Sequence, residues 1–442
     1  MKTAGKPEPL RPPAFSYQGA GRNARATRTG STPSELFCES VALAGLAARH
    51  GTPLYVYSAE MIRARIQAFL RAFHKVPHTL CYSVKANSTL GILRLIARQG
   101  AGFDVVSGGE LERVLRVIPG PARTVVFSGV GKTVPEMELA LKAGILLFNI
   151  ESASELRTLA KTAARLKKQA QIAVRVNPDV SAKTHPYIST GLHEHKFGVP
   201  IPEALQLYHE AAENKYLKVA GVSVHIGSQI TDLTNFQDAL VRVAGFVGRL
   251  RREGHEIRYV DGGGGLGISY DGPQQQFTEQ ISAYADAVLK PLRGLDVHLL
   301  LEPGRSIVGP AGVLLTRVLY RKTNNSKRFL IVDAAMNDLL RPSLYGAYHE
   351  IVPVTCRSQQ KETTDVVGPI CETGDFFARD RELPVLAEGD LLAILDAGAY
   401  GAVLGSNYNT RGKPAEVLVD GTKVRLIRRR ESIQDQLRLE SL

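Results

Sequence analysis

The chain has 442 residues, too many for one ordinary domain, and its 44% apolar and 22% charged residues are the balance of a soluble globular protein. No apolar run approaches the ~20 residues that cross a bilayer, and four cysteines without a CxxC pair exclude a disulfide framework or a zinc ribbon and fit a reducing cytoplasm. The net charge of +12 raises nucleic acid as a partner, but the basic residues are spread over helical patterns and both ends without aromatic interleaving, which marks solvated faces instead.

Residues 1–33 carry Lys2, Lys6, Arg11, Arg22, Arg25 and Arg28 against Glu8, and they are rich in Pro, Gly and Thr with no hydrophobic period. This predicts a disordered leader, and it lacks the apolar core of a secretory signal. Residues 34–50 read as a lead-in that belongs with a β domain. The barrel segment is assigned to 51–306, with "TPLYVYS" ahead of its first strand as a crossing from that β domain.

From Thr79 onward, eight short β-prone runs recur, at 79–84, 103–106, 124–128, 146–150, 171–176, 219–226, 258–261 and 298–302. Helix-spaced apolar residues fill the gaps, for example from Gly91 to Arg98 and from Glu110 to Val117. Strands alternating with helices imply parallel pairing through right-handed crossovers, and eight such units close a (β/α)8 barrel. After Pro310 the pattern changes to strands near 313–320, 328–332, 391–395 and 416–419 without helices between them. Residues 307–442 therefore form a C-terminal all-β domain, and the fold class is α/β plus β.

A barrel gathers function at the carboxyl ends of its strands. Those ends supply Lys85, Asp104, Ser128, Asn149, Arg175, His225, the run Asp261-Gly262-Gly263-Gly264-Gly265, and Glu302. A lone lysine at a strand end usually snorkels to water. A lysine, an arginine, a histidine, a glycine run and a glutamate on one rim favour a pocket where the amine forms a Schiff base. Glycines let a backbone approach a phosphate closely, and a turn explains four of them equally well when they stand alone. Amine, phosphate loop and acid together describe a site for pyridoxal 5′-phosphate, with the acid on the pyridine nitrogen.

Ten stretches carry a resemblance in register: "YSVKAN", "FDVVSGGELERV", "FSGVGKT", "RVNPDV", "HPYISTGLHEHKFGV", "HIGSQ", "GGGLG", "EPGRSIVGPAG", "CETGDFF" and "GAYGAVLGSNYNTRG". From about Ser34 to the C-terminus the chain resembles the diaminopimelate decarboxylase family, whose barrel-plus-β-domain fold (pyridoxal-phosphate fold type III) is shared with alanine racemase and ornithine decarboxylase. The resemblance implies Lys85 as the Schiff-base lysine, His225 stacked on the cofactor ring, and Ser228 with Gly263, Gly264 and Gly265 around the phosphate. Gly262 is one glycine more than the family pattern carries. Glu302 is implied as the partner of the pyridine nitrogen, and Gly304 and Arg305 complete the "EPGR" contact, with Arg305 on a substrate carboxylate. Asp104 and Arg175 fall near the cofactor. Arg341 and Tyr345 resemble distal substrate contacts, Cys371 the proton donor, Glu372 the partner of the distal ammonium, and Tyr400 a contact of cofactor and substrate. Taken singly, Cys371 reads as a small buried apolar residue, Arg341 and Glu372 as surface charges and Tyr400 as packing.

The implied reaction is decarboxylation of meso-2,6-diaminopimelate to L-lysine, the last step of bacterial lysine synthesis, in a homodimer whose sites are shared between chains. A decarboxylase for ornithine or arginine, a racemase, and a non-catalytic pyridoxal-phosphate carrier are the alternatives. A carrier of the last kind has no use for a second domain with "CETGD". No metal, nucleic acid or membrane partner is expected.

Overall fold

The computed structural model describes residues 14–19, 34–178, 196–271, 277–357 and 360–441. Most of the leader, and residues 185–195 of "HPYISTGLHEHKFGV", lie outside them. The chain divides into two compact units.

One unit runs from Arg63 to Gly267 and closes at Ile307. It holds eight strands: β1 His78–Ser83, β2 Gly102–Val105, β3 Val125–Phe127, β4 Leu147–Ile150, β5 Ala170–Asn177, β6 Leu217–Val224, β7 Tyr259–Asp261 and β8 His298–Leu301. Each pairs in parallel with the next, and β8 pairs in parallel with β1. The sheet is thus a closed eight-stranded barrel, as the spacing predicted. Every strand end agrees with the predicted run to within two residues.

Local chemistry starts and stops the crossover helices. Ser107 Oγ accepts from Glu110 N, and Ser152 Oγ accepts from Glu155 N, each at 3.2 Å. Thr133 and Glu136 form a reciprocal cap on Val134–Ala143, and Gly144 ends that helix in the left-handed region, at φ 65°. The helix Ala153–Leu166 buries Leu156, Leu159 and Ala163 on one face. No helix among the described residues is long and apolar enough to cross a membrane.

The barrel interior follows from the two-residue period of its strands. Cys81, Val126, Leu147, Ala173, Ala220, Tyr259 and Leu300 fill the centre as one apolar cluster. Two residues further along five of these strands the same inward face carries Ser83, Ser128, Asn149, Arg175 and Asp261, and after β8 it carries Glu302. On β6 a register shift between Val219 and Gly221 makes the step three residues, from Ala220 to Ser223. An apolar plug below and a polar layer above is the arrangement that lets water and ligands reach one rim alone.

The other unit comprises residues up to Ile62, a short segment starting at Ile268, and Val308 onward. Its sheet has Leu54–Ser58 at the centre, antiparallel to Gly312–Asn324 and parallel to Ala415–Asp420. Lys327–Val332, Leu391–Ile394, Lys361–Val367, Phe376–Pro384 and Lys423–Arg428 extend it. The strand Leu54–Ser58, expected within the barrel segment 51–306, is therefore part of the β unit. All five of its residues are buried, and Leu54 and Val56 pack in the β-unit core with Leu315 and Val417. Short helices at Leu43–His50, Arg341–Tyr345 and Ile433–Leu437 interrupt what was expected to be an all-β unit.

The predicted disordered leader is corrected at one place. Phe15–Gly19 is a strand, antiparallel to Ser34–Cys38. Its residues alternate: Phe15 is buried in the β-unit core with Leu36 and Cys38, Ser16 is exposed, and the Tyr17 hydroxyl donates to the Pro353 carbonyl. Two aromatic residues two apart outweigh the flanking Pro and Gly because both gain a core to cover.

Candidate active site

The carboxyl rim of the barrel is a connected polar network. β1 ends at Ser83, and a 3-10 turn, Val84–Ala86, carries Lys85 over the rim. Ser83 Oγ donates to Asp104 Oδ2 at 2.7 Å, and Lys85 Nζ lies 3.3 Å from the same oxygen. Asp104 is fully buried, while the Lys85 side chain is 35% exposed. Asp104 Oδ1 has no hydrogen-bond partner among the described residues.

Glu302 is buried just past β8. Ser128 Oγ lies 3.3 Å from its Oε1, and its carboxyl is hydrogen-bonded to Asp261. Asn149 Nδ2 donates to Asp261 Oδ2 at 2.6 Å, and the Gly263 amide donates to Asp261 Oδ1 at 3.0 Å. Burial first, and then the charges of Asp104 and Asp261, push the Glu302 carboxyl well above the usual carboxylate range, with Lys85 opposing. Burial also raises Asp261, which the bonds from Glu302, Asn149 and Gly263 pull back. The two acids therefore titrate as a pair, and both carboxyls are raised.

His225 follows β6. Its Nδ1 accepts from the Gly264 amide at 3.1 Å, so the neutral imidazole carries its proton on Nε2. Burial first, then the cations Arg175 and Lys85, hold its pKa well below the ordinary value. Arg175 pairs with Glu151, Nη1 to Oε1 at 3.0 Å, and its Nη2 reaches the His225 carbonyl at 3.4 Å. Glu151 also accepts from the amides of Gly129 and Gly198. Arg305 Nη2 donates to Ser228 Oγ at 3.2 Å.

The glycine run divides sharply by position. A Cβ at Gly263 would lie 2.5 Å from the Val224 carbonyl oxygen, at Gly264 2.1 Å from that of Glu302, and at Gly265 2.4 Å from that of Gly227. Gly263 and Gly265 are also left-handed, at φ 67° and 106°. At Gly262 the nearest atom would be 3.7 Å away, so sterics do not require that glycine. Three of the amides in this loop are committed, Gly262 to the Leu300 carbonyl, Gly263 to Asp261 and Gly264 to His225, so close approach shapes the loop as much as donor supply does. Gly304 brings the end of β8 against β1, where a Cβ would lie 2.9 Å from Ala86 Cβ. Gly264→Ala, which sets a methyl against the Glu302 backbone, is expected to cost about 1–3 kcal/mol of stability, and Gly262→Ala under about 0.5. Urea unfolding of the two variants measures this.

The remaining expected residues lie in the β unit. Arg341 is buried at the start of its short helix. Its Nη1 donates to His349 Nε2 at 2.7 Å, and its guanidinium lies 4.5 Å from the centre of the Tyr270 ring. His349 Nδ1 donates to the Leu395 carbonyl at 2.7 Å, which fixes a neutral tautomer able to accept from Arg341. Tyr345 ends the same helix half-buried. Cys371 and Glu372 are exposed on a loop tied down by Asp375, whose carboxylate accepts from Met336 N and Ile370 N, each at 2.7 Å. The Cys371 amide donates to Asn409 Oδ1 at 3.0 Å, and Glu372 is hydrogen-bonded to Tyr408. Tyr400 sits in the left-handed region at φ 55°, an uncommon conformation for an aromatic residue.

Barrel closure thus unites Lys85 with Asp104, Glu302 with Ser128 and Asp261, His225 with Gly264 and Arg175, and Arg305 with Ser228. Arg341, Tyr345, Cys371, Glu372 and Tyr400 belong to the other unit. Sequence reasoning passed over Glu151, which orients Arg175, and the bond between Asp261 and Glu302. Both acids stand at or just past strand ends on the inward face, which is the signal that marks them.

Residues 59–309 match the family model for the pyridoxal-binding domain of pyridoxal-dependent decarboxylases. The chain is 54% identical to the diaminopimelate decarboxylase of Pseudomonas aeruginosa over 409 residues, which is 92% of this chain and 97% of the relative. Among solved structures it is similar to diaminopimelate decarboxylase from Helicobacter pylori complexed with L-lysine, with 44% identity, a TM-score of 0.86, and coverage of 90% of this chain and 98% of that one. It is also similar to the diaminopimelate decarboxylase of M. jannaschii, with 40% identity, a TM-score of 0.87, and coverage of 92% and 96%.

Proposed function

Because the chain belongs to the pyridoxal-dependent decarboxylases, and among them to the diaminopimelate decarboxylase family, we infer that it uses pyridoxal 5′-phosphate to convert meso-2,6-diaminopimelate to L-lysine and CO2. The observation in the structure that carries this reading is the buried Glu302 carboxyl at the barrel rim, held by Ser128 and Asp261. A buried carboxyl at the end of a barrel strand suits a pyridine nitrogen, with which it would share a proton as a hydrogen-bonded pair. The crowded glycines 263–265, with room for no side chain, and Asp104 Oδ1, aligned by Lys85 and Ser83, fit the same cofactor. The residues present therefore suit pyridoxal phosphate: Lys85 to bind it covalently, Gly263, Gly264, Gly265 and Ser228 at the phosphate, His225 against the ring, and Glu302 at the ring nitrogen.

When bound, the cofactor supplies an electron-poor ring that accepts the electron pair left on Cα as CO2 departs. Glu302 keeps the ring nitrogen protonated throughout. His225, neutral, presents a flat ring without adding a second cation near Glu302. Arg305 receives a substrate carboxylate. Arg341 and Glu372 offer the cation and the anion for the zwitterionic far end, and the Cys371 thiol gives Cα its proton.

Substrate choice then rests on charge matching. Ornithine has no distal carboxylate and so forgoes one charge-assisted hydrogen-bonded contact, worth about 1.5–3 kcal/mol. Lysine and CO2 release from meso-diaminopimelate, compared with ornithine and arginine, tests the reading, and equal rates on all three would sink it. Glu372→Gln is expected to lower kcat/KM for meso-diaminopimelate about tenfold or more, through one charge-assisted hydrogen bond, with cofactor content unchanged.

We place the enzyme in the cytoplasm, where its four unpaired cysteines stay reduced. Assembly as a homodimer with shared sites is part of the same reading, supported by the exposure of Cys371 and Glu372 on the single chain. Lys85→Ala and Cys371→Ala proteins, each inactive, should regain about a quarter of wild-type activity when mixed and allowed to exchange subunits, because half of the dimers then carry one intact site of two. No recovery, despite exchange seen by mass, would mean that each chain builds its own site.

A further inference from the structure

Three metal-ligating side chains converge at the amino-terminal rim of the barrel, the rim opposite Lys85 and Glu302. His209 lies in the last turn of the helix Ile201–Ala212, Glu253 caps the helix Thr234–Arg252, and His255 lies in the link from that helix to β7. One ring nitrogen of each histidine and one carboxylate oxygen of Glu253 lie within 4.8 Å of one another. His209 Nε2 is 3.1 Å from Glu253 Oε2, and the two imidazoles stack with centroids 5.6 Å apart. Arg249 holds the second carboxylate oxygen, Oε1, at 2.9 Å, which leaves Oε2 turned toward the imidazole.

A surface ion pair between His209 and Glu253 accounts for part of this arrangement. It does not account for His255, whose Nε2 is shielded from water and has no hydrogen-bond partner among the described residues. An imidazole nitrogen kept from water without a donor or acceptor is costly unless something else binds there.

We propose that His209, Glu253 and His255 form a binding site for a divalent transition metal of the zinc class, with its remaining positions open to water. Two imidazoles and one carboxylate suit zinc and its borderline neighbours, and two nitrogen donors disfavour calcium and magnesium. The carboxyl ends of two helices meet there, and their partial negative charge favours a cation. The ion would tie the end of Ile201–Ala212 to the start of β7, remote from the decarboxylation chemistry.

The test uses the tag-free, pyridoxal-loaded full chain, stripped of metal and titrated with zinc against a chromogenic chelator. Wild type should take up one equivalent per chain more than the His209→Ala and His255→Gln variants do. Each variant should bind at that site at least about tenfold more weakly. Cobalt should give visible bands with wild type that both variants lack. Decarboxylase activity should be the same in all three proteins, which also shows that the variants fold. Zinc uptake identical in wild type and variants, or no uptake by wild type at ~100 μM, a level that would still fill a weak specific site, would overturn the proposal.

Discussion

Lys85→Ala protein is expected to lose decarboxylation by about 10³-fold or more and to hold its cofactor without a covalent bond. Among the described residues two lysines follow barrel strands closely enough to be considered, and their surroundings separate them. Lys132 Nζ donates to the carbonyls of Gly129 and Asn149 and to Glu155 Oε1, at 2.7, 2.6 and 2.6 Å. Such an ammonium has its three donors engaged and is not free to turn toward a ligand. Lys85 faces Asp104 at 3.3 Å from a side chain still 35% exposed, which leaves its amine able to turn toward a ligand. Borohydride reduction followed by peptide mass should therefore place the cofactor on Lys85 in wild type and nowhere in Lys85→Ala. Loss of the cation beside Asp104 costs the fold at most about 1 kcal/mol, because the pair is partly solvated and Ser83 still donates to the carboxylate. Lys85→Arg keeps that cation and cannot form the link, so it should be as inactive as Lys85→Ala and more stable. A reduced adduct at full occupancy in either variant would remove Lys85 from its assigned role.

How much of this was legible in the sequence depended on how local each determinant is. The eight barrel strands announce themselves by short runs of Val, Ile, Leu and Phe between helix-spaced segments. The same two-residue period that buries Cys81 and Leu147 turns Ser83 and Asn149 into the site. Leu54–Ser58 has the same texture, and nothing within it says that its partners are Gly312–Asn324 and Ala415–Asp420, hundreds of residues away. Lys361–Val367 and Phe376–Pro384 went unpredicted because their outward residues are charged and their apolar residues few. Phe15–Gly19 was hidden by the low-complexity composition on both sides of it. Cys371, Glu372 and Arg341 carry no local pattern that sets them apart from ordinary surface or core residues, and resemblance alone singled them out. The raised pKa of Glu302 was invisible for another reason: it comes from burial and from Asp104 and Asp261, which barrel closure brings beside it.

The raised pKa of Glu302 makes Glu302→Gln the more discriminating substitution. Glutamine matches the size of glutamic acid and keeps a hydrogen bond to Asp261, but it cannot give a proton to a ring nitrogen or remain beside it as an anion. The rate is expected to fall by about 10²–10³-fold, the effect of removing one preorganised electrostatic partner of the transition state. Cofactor occupancy should hold, since Lys85 and the glycine loop are untouched, and Glu302→Asp should recover part of the rate. A second readout needs no turnover. In the cofactor-free protein the Glu302 carboxyl is raised above its unfolded value, so between about pH 4.3 and that higher value the folded chain keeps a proton that the unfolded chain has released. Stability from this group is complete below the window and is lost as pH rises through it. Glu302→Gln removes the titration, so the cofactor-free variant should melt with a flatter dependence on pH, and near neutrality it should be the more stable of the two proteins. Parallel melting curves across that range, together with an unchanged rate, would show that Glu302 is ionised in the fold and does not serve the ring nitrogen.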